Sequence, residues 1–396
     1  MVITLSDSER EAAWRKEVRD FIQREAPAAL KSGGDEGGEN SLFGRMGAIK
    51  EWREKVAAKG WIAPSWPKRF GGADMTVAEQ FIMNEEFAES GVPGNLGGFG
   101  VMMIGPTIIE HGTEEQKEEH LTKILKGESI WCQGYSEPGA GADLASLQTR
   151  AVRDGDDYVI NGQKIWTTGA QYADMMYMLA RTDPDAPKHR GISFLLIDDI
   201  KNQQGLQLRP LINMANRHHF NEVFFEDVRV PAQNLIGEEN RGWYIATTTL
   251  DQERSSINRV VMTRSTLAAL IDYVRGVPAL KARAEIRHEL AERHLEFEIG
   301  RWLCYRVAQM QSEGKVPNSE ASVSKIFGTE LQRQMGITGL RVIGLPGTIE
   351  PGSKYAPLRG QVERWAMAAP SYTIAGGTSE VNRNIVATRG LGLPRD

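Results

Sequence analysis

The sequence predicts an α+β multidomain chain in three parts: helical residues 1–130, a β module over 131–237 and a helical bundle over 238–396. Three observations carry this reading. Helix-capping signals and apolar stripes at helical spacing dominate the first third. Short β-rich runs between Gly, Pro and Asp turns then take over for about one hundred residues. After Gly242 long stripes at helical spacing return.

In the first part, Ser6-x-x-Glu9 reads as a capping box, and the helix behind it places Trp14, Val18, Phe21 and Ile22 on one stripe before Pro27 stops it. Lys31–Asn40, rich in Gly and acids, reads as a mobile loop. Gly112 followed by Thr113-x-x-Gln116 reads as one helix ending and the next beginning. In the β module, strands are expected at Tyr158–Ile160, Met175–Ala180, Ile192–Ile197 and Val223–Phe225, and Asn161-Gly162 reads as a hairpin turn. In the third part, Ile257, Val260, Val261, Leu267, Leu270, Ile271 and Val274 form one bundle stripe, and Leu290, Leu295, Ile299 and Leu303 form another. Residues 345–358, punctuated by three prolines, read as loop. A final helix starts near Thr378, with Val381, Ile385 and Val386 inward.

A net charge of −5, with acids and bases interspersed, leaves no basic block for nucleic acid and no polybasic membrane patch. No run of 18 apolar residues occurs, so no membrane insertion is expected. The start lacks the apolar stretch of a secretory signal. Two distant cysteines, Cys132 and Cys304, argue for a reducing compartment and against a disulfide framework or zinc site. These features point to a soluble cytoplasmic protein.

The chemistry concentrates between Tyr135 and Thr168. Tyr-Ser-Glu-Pro-Gly-Ala-Gly-Ala-Asp (135–143) is a Gly-rich turn whose backbone N–H groups and hydroxyl suit a polar heterocycle or a phosphate. Asn-Gly-Gln-Lys-Ile-Trp-Thr-Thr (161–168) feeds a strand that puts Trp166 and Thr168 on one face. A flat aromatic beside a hydroxyl suits an isoalloxazine ring. In this order and spacing the two segments closely resemble the flavin-binding middle domain of the acyl-CoA dehydrogenases. The helical–β–helical order extends that resemblance over essentially the whole chain.

The resemblance implies an N-terminal α-helical domain, a central β-barrel or sandwich and a C-terminal four-helix bundle. It implies FAD as cofactor, an acyl-CoA substrate dehydrogenated to the trans-2-enoyl-CoA, and an electron-transfer flavoprotein as electron acceptor. Gln133, Tyr135, Ser136, Ala142, Trp166, Thr167, Thr168, Thr378 and Glu380 match flavin-binding positions; Tyr135 and Ser136 fall on the pyrimidine side and Trp166 and Thr168 beside the central ring. Ala142, Asp251, Arg254, Gly376 and Gly377 match substrate positions. Many members carry the base before the Gly-Thr of the C-terminal motif, but here the motif reads Ile374-Ala375-Gly376-Gly377-Thr378-Ser379-Glu380. The long-chain and isovaleryl branches carry a Glu before an Arg on the first helix after the β domain. Leu250-Asp251-Gln252-Glu253-Arg254 matches that alternative, so Glu253 is the expected base, with a pKa raised by an apolar pocket.

Three departures stand out. Tyr273-Val274-Arg275-Gly276-Val277-Pro278 lacks the family's Arg-x-x-Phe, Arg341-Val342-Ile343-Gly344-Leu345 replaces Gln-x-x-Gly-Gly, and Ala142 replaces the Ser of the flavin turn. The protein is therefore expected either as a homo-oligomer (dimer or tetramer) whose pyrophosphate cation is Arg275 or Arg341, or as the catalytic subunit of a heterotetramer with a related dehydrogenase chain. Related pairs act on steroid side chains, and related branches on dicarboxylic acyl-CoAs. An oxygen-using flavoenzyme and a flavin-free assembly subunit are the alternatives on the same fold. His218 and His219, adjacent in a β-rich stretch, point to opposite faces and hold no common metal. Met175, Met176 and Met178 are expected in the core, and Cys132 packs beside the flavin turn.

Overall fold

Local capping chemistry sets the first helices. The computed structural model describes residues 7–31, 39–251 and 257–394. Helix α1 (Glu9–Glu25) is capped by Ser8, whose hydroxyl accepts the Glu11 amide while the Glu11 carboxylate accepts the Ser8 amide at 2.8 Å. The capping box is thus Ser8-x-x-Glu11, two residues beyond the expected Ser6-x-x-Glu9; Ser6 lies outside the described residues. Val18, Phe21 and Ile22 are buried on its inner stripe, as expected, and the helix closes at Ala26 before Pro27. The Gly- and acid-rich segment is flanked by helix on both sides: Lys31 ends α2 (Ala28–Lys31), and Glu39 begins α3 (Glu39–Ala58).

Next come α4 (Val77–Ser90), α5 (Gly105–His111) and α6 (Glu114–Lys126). Gly112 closes α5, and Thr113 and Gln116 form the capping box of α6, as the sequence predicts. After the sheet follow α7 (Gly242–Asp251), α8 (Ile257–Gly276), α9 (Pro278–Lys281), α10 (Ala284–Ser312), α11 (Asn318–Ile343), α12 (Gln361–Tyr372) and α13 (Ser379–Ile385). Residues 345–358 are irregular apart from short 3₁₀ turns, the second running on to Gly360.

The chain divides into two compact units. One comprises Met1–Ser65, Asp74–Leu96 and Arg254–Asp396. In it α1 packs on α4, and α8, α10 and α11 pack on one another. Its core joins Phe81, Val260, Val261, Phe297, Cys304 and Leu331 in one cluster and Leu267, Leu270, Val274, Leu290, Met335 and Val342 in another. The first expected bundle stripe is therefore core. The second is core only in part: Leu290 is buried and Leu303 half-buried, but Leu295 and Ile299 are exposed, and the inner stripe of α10 runs through Ile286, Leu290, Phe297, Cys304 and Val307. At about 100° per residue, Leu295 stands roughly 140° around the helix from Leu290. On α13, Val381 and Ile385 are half-buried, as is Val386 just beyond it, and the buried residues are Ser379 and Asn382.

The other unit comprises Trp66–Ala73 and Gly97–Glu253 and contains the sheet. Its strands are β1 (Trp131–Gly134), β2 (Arg150–Asp154), β3 (Asp157–Thr168), β4 (Met175–Arg181), β5 (Ile192–Ile197), β6 (Leu206–Ile212), β7 (His218–Pro231) and β8 (Leu235–Ile236). They are ordered β6-β7-β3-β2-β4-β5-β8, with β1 parallel to β4. Every residue of β5 is buried, which explains why an apolar run broken only by Ser193 reads as strand. Met176, Met178 and Cys132 are in the core, as expected, while Met175 is half-buried.

Asn161-Gly162 is not a hairpin turn. The turn lies at Gly155-Asp156, between β2 and β3, and β3 runs straight through Asn161. Asn161 instead faces a bulge in β7: its side chain bonds Asp227, which sits at φ 51°. Gly162 adopts φ 148° and lies so close to the residue preceding β2 that a Cβ there would meet Thr149 Oγ1 at 2.7 Å. A second bulge, this time in β3, falls between Lys164 and Thr167.

Candidate active site

The second bulge decides what β3 presents. Tyr158, Ile160 and Lys164 point inward at period two, and uninterrupted alternation would carry Trp166 and Thr168 inward as well. The extra residue reverses the phase. Thr167 is fully buried, whereas Trp166 is 54% exposed and Thr168 is exposed beside it. Trp166 sits at φ 60°, a strained conformation for a bulky aromatic, with its ring edge-on to Phe220 at 5.6 Å. The expected pair does share one face, and that face is open.

The bulge also frees an amide. Ile165 donates its N–H to the carbonyl of Ser136 at 2.9 Å, which binds the Gly-rich turn to β3. Within the turn, Glu137 and Ala140 exchange backbone hydrogen bonds of 2.9 and 3.1 Å. Lys164, with no exposed surface, donates to Tyr135 O at 3.0 Å and to Glu137 Oε1 at 2.8 Å. The Glu137 carboxylate also accepts the amides of Gln148 at 2.6 Å and Thr149 at 2.8 Å. Burial pulls the Lys164 ammonium down to about 8 against the attraction of Glu137. Burial pushes the Glu137 carboxyl up, but Lys164 and the amides hold it below the usual carboxylate range. Arg181, from β4, donates to the carbonyls of Ala145 at 2.7 Å and Lys188 at 2.9 Å, anchoring the segment beyond the turn.

Around this frame the residues of the expected flavin turn take different postures. Tyr135 is buried, its ring edge-on to Tyr177 at 5.8 Å, so its carbonyl rather than its ring belongs to the turn. Ser136 is half-buried, Ala142 is exposed, and Gln133 donates to the Tyr177 hydroxyl at 3.2 Å. Thr167 turns its side chain away from the Trp166 face, and its carbonyl accepts from Asn221 at 3.2 Å. Asp251 is the last residue of α7; Glu253 and Arg254 lie outside the described residues.

The C-terminal motif belongs to the other unit. Gly376 and Gly377 are exposed at φ 66° and 87°, consecutive left-handed positions that favour glycine. Lys325, buried on α11, donates to Gly377 O at 2.6 Å and Thr373 O at 3.3 Å beneath that loop. Thr378 caps α13 by accepting the Val381 amide at 3.1 Å. The exposed Glu380 carboxyl is held low by its own helix-start amide and the Thr378 hydroxyl. Arg275 and Arg341 occupy exposed ion pairs, with Asp272 at 3.1 Å and Glu289 at 3.4 Å.

Two buried positions escaped the sequence reading: Glu137 and Lys164. The available signal was Lys164 itself, an inward-phase lysine in an otherwise apolar strand pattern, which requires a buried partner. His218 bonds Asn221 at 2.9 Å, and among the described residues no group of metal-ligating side chains forms a metal site. No described helix is long and apolar enough to cross a membrane.

An exposed aromatic held in a strained conformation, a neighbouring hydroxyl and a braced Gly-rich turn fit the face of an isoalloxazine ring. The fold and these features define a flavin-dependent dehydrogenase, and the chain belongs to the acyl-CoA dehydrogenase family. It matches that family's N-terminal domain over residues 8–128, its middle domain over 132–228 and its C-terminal domain over 240–391. It is similar to the acyl-CoA dehydrogenase IpdE1 of Mycobacterium tuberculosis, at 36% identity over 371 residues covering 93% of each chain. Among solved structures it resembles the ChsE4-ChsE5 complex from Mycobacterium tuberculosis, with TM-score 0.86, 35% identity and full coverage of both chains. It also resembles the Tcur3481-Tcur3483 steroid ACAD, with TM-score 0.85, 33% identity and full coverage of both chains. The protein is an acyl-CoA dehydrogenase, an FAD-dependent flavoprotein oxidoreductase.

Proposed function

We propose that the protein converts an acyl-CoA thioester to its trans-2-enoyl-CoA with Glu253 as the base that takes the α-proton. The observation that carries this reading is the glycine pair of the C-terminal motif. Gly376, at φ 66°, stands where many relatives carry the carboxylate, and its conformation disfavours a Glu. The chain's remaining carboxylate at a known family position is Glu253, directly before Arg254.

FAD, when bound, supplies the two-electron acceptor for the β-carbon. Gln133 and the backbones of Tyr135 and Ser136 would hold its pyrimidine side, and Trp166 and Thr168 would line the central ring, with the buried Thr167 behind them. Thr378 and Glu380 serve the ribityl–pyrophosphate region. Gly376 and Gly377 direct backbone N–H groups to the thioester oxygen, where charge develops as the α-proton leaves. Ala142, Asp251 and Arg254 position the CoA arm. The domain division at 130 and 237, a cytoplasmic location and electron-transfer flavoprotein as the acceptor belong to the same reading.

The assembly reading is heteromeric. Arg275 and Arg341, the cations left near the eroded motifs, sit in surface ion pairs on their own chain. One solved relative is a complex of ChsE4 and ChsE5, and the Tcur3481-Tcur3483 pair is named a steroid ACAD. These likenesses support a sister chain that supplies the missing pyrophosphate cation, and a bulky steroid side-chain acyl group as substrate.

The test is an anaerobic titration of the flavin-loaded protein, co-purified with its sister chain, with linear, branched, dicarboxylic and steroid side-chain acyl-CoAs, followed at the flavin band. Bleaching by the steroid acyl-CoA, abolished in a Glu253→Gln variant that keeps its flavin, is the expected result. Full bleaching and turnover by Glu253→Gln overturns the base assignment. Stoichiometric FAD in the chain purified alone overturns the need for a sister chain.

A further inference from the structure

We propose that Lys164 and Glu137 are positioning residues for the flavin, a buried couple that clamps the Gly-rich turn onto the strand carrying Trp166 and Thr168. This rests on the proposed placement of the flavin at that face. Three successive turn residues are gripped by two successive strand residues: Tyr135 O and Glu137 Oε1 by the Lys164 ammonium, and Ser136 O by the Ile165 amide. Glu137 extends the grip to the far end of the loop through the Gln148 and Thr149 amides. Both flavin-facing segments thus hang on one ion pair.

Stability alone does not account for that pair. Lys164 has no exposed surface and Glu137 is 8% exposed. Desolvating two charges costs several kcal/mol per ion, and apolar residues of similar volume generally do as well or better. What an apolar pair cannot do is draw two carbonyl-bearing turn residues and two loop amides to one point. The couple fixes where the turn's backbone groups stand relative to the ring of Trp166. It touches neither cofactor nor substrate and acts through the backbone it holds.

The experiment compares full-length Glu137→Gln and Lys164→Met with Val228→Ala, a core variant of the same sheet outside the site. FAD affinity is read by quenching of flavin fluorescence, and amide hydrogen exchange of Gln148, Thr149 and Ile165 is read in the FAD-free protein. Glu137→Gln is expected to weaken FAD binding roughly tenfold, the equivalent of one charged hydrogen bond, and to speed exchange at those three amides. Val228→Ala is expected to lower the melting temperature while leaving FAD affinity within about twofold. Glu137→Gln with native FAD affinity overturns the proposal; because this isosteric variant keeps the volume, it decides the matter even where Lys164→Met fails to fold. Trp166→Phe provides the separate control. If it leaves the spectrum of bound flavin unchanged, the flavin does not lie on this face, and the placement and the clamp both fail.

Discussion

Arg301 on α10 and Glu85 on α4 meet at 2.7 Å across 216 sequence positions, and Glu85 is completely buried. The same carboxylate accepts from Arg15 of α1 at 2.7 Å and from the Tyr305 hydroxyl at 2.7 Å. Three helices are thereby tied to one buried charge. Glu85→Gln removes the central charge, although Arg15 keeps Asp7 and Glu86 and Arg301 keeps Glu298 at 3.7 Å; breaking such a buried pair is expected to cost about 3 kcal/mol, read by denaturant unfolding.

The same carboxylate sets an acid limit. Burial pushes the Glu85 carboxyl up, but Arg301, Tyr305 and Arg15 overcome this and hold it below its ordinary value of 4.5. A depressed folded pKa contributes stability that is fully present above 4.5 and is lost as pH falls through the lower folded value. Unfolding followed from about pH 6 down to about pH 3 should show a steeper loss of stability in the native protein than in Glu85→Gln. Parallel profiles would remove Glu85 from the account.

Trp166 predicts an inverted stability ranking. At φ 60° a glycine is relaxed and a β-branched residue is strained, so Trp166→Gly should exceed Trp166→Val in stability by about 1–2 kcal/mol in the FAD-free protein. An ordinary extended strand position gives the opposite order. Thermal melts of the two variants decide.

Gly162→Ala tests the Asn161-Gly162 reassignment. In the bulged strand the new Cβ collides with Thr149 Oγ1 and Cα at 2.7 and 2.8 Å, and a loss of roughly 1–3 kcal/mol is expected. A free hairpin turn would not bring Thr149 into play.

For the chemistry, Glu253→Gln should lower turnover by about 10²–10⁴-fold. Adding Gly376→Glu should not restore it fully, because the new carboxylate inherits a left-handed backbone. Steady-state kinetics of the double variant against the single one check this.

Particular residues show what was legible. Ile192–Ile197 reads correctly because every position is buried, and Thr113 with Gln116 because capping is local. Leu295 and Ile299 mislead because α10 is apolar on two sides, and periodicity names a stripe without naming which stripe meets a neighbour. Asn161-Gly162 suits a turn or a bulge, and the choice rests on Asp227, 66 positions away. Trp166 and Thr168 are legible as same-face residues, but which way that face points depends on the bulge. Glu137 and Lys164 stayed hidden because charged residues default to the surface, and their burial is settled only by 27-residue partnering.

The two irregularities of the β3–β7 ladder have opposite signs. The first inserts a residue in β7 and the second inserts one in β3, so the pairing of Thr167 with Asn221 returns to the frame that Ile160 and Val228 began. They behave as a frameshift and its suppressor. Removing either one alone would leave the ladder one residue out of register, so that Thr167 no longer faces Asn221. A deletion at one insertion is therefore compensated in register by a deletion at the other, which couples the two sites although Asp227 and Trp166 belong to different strands.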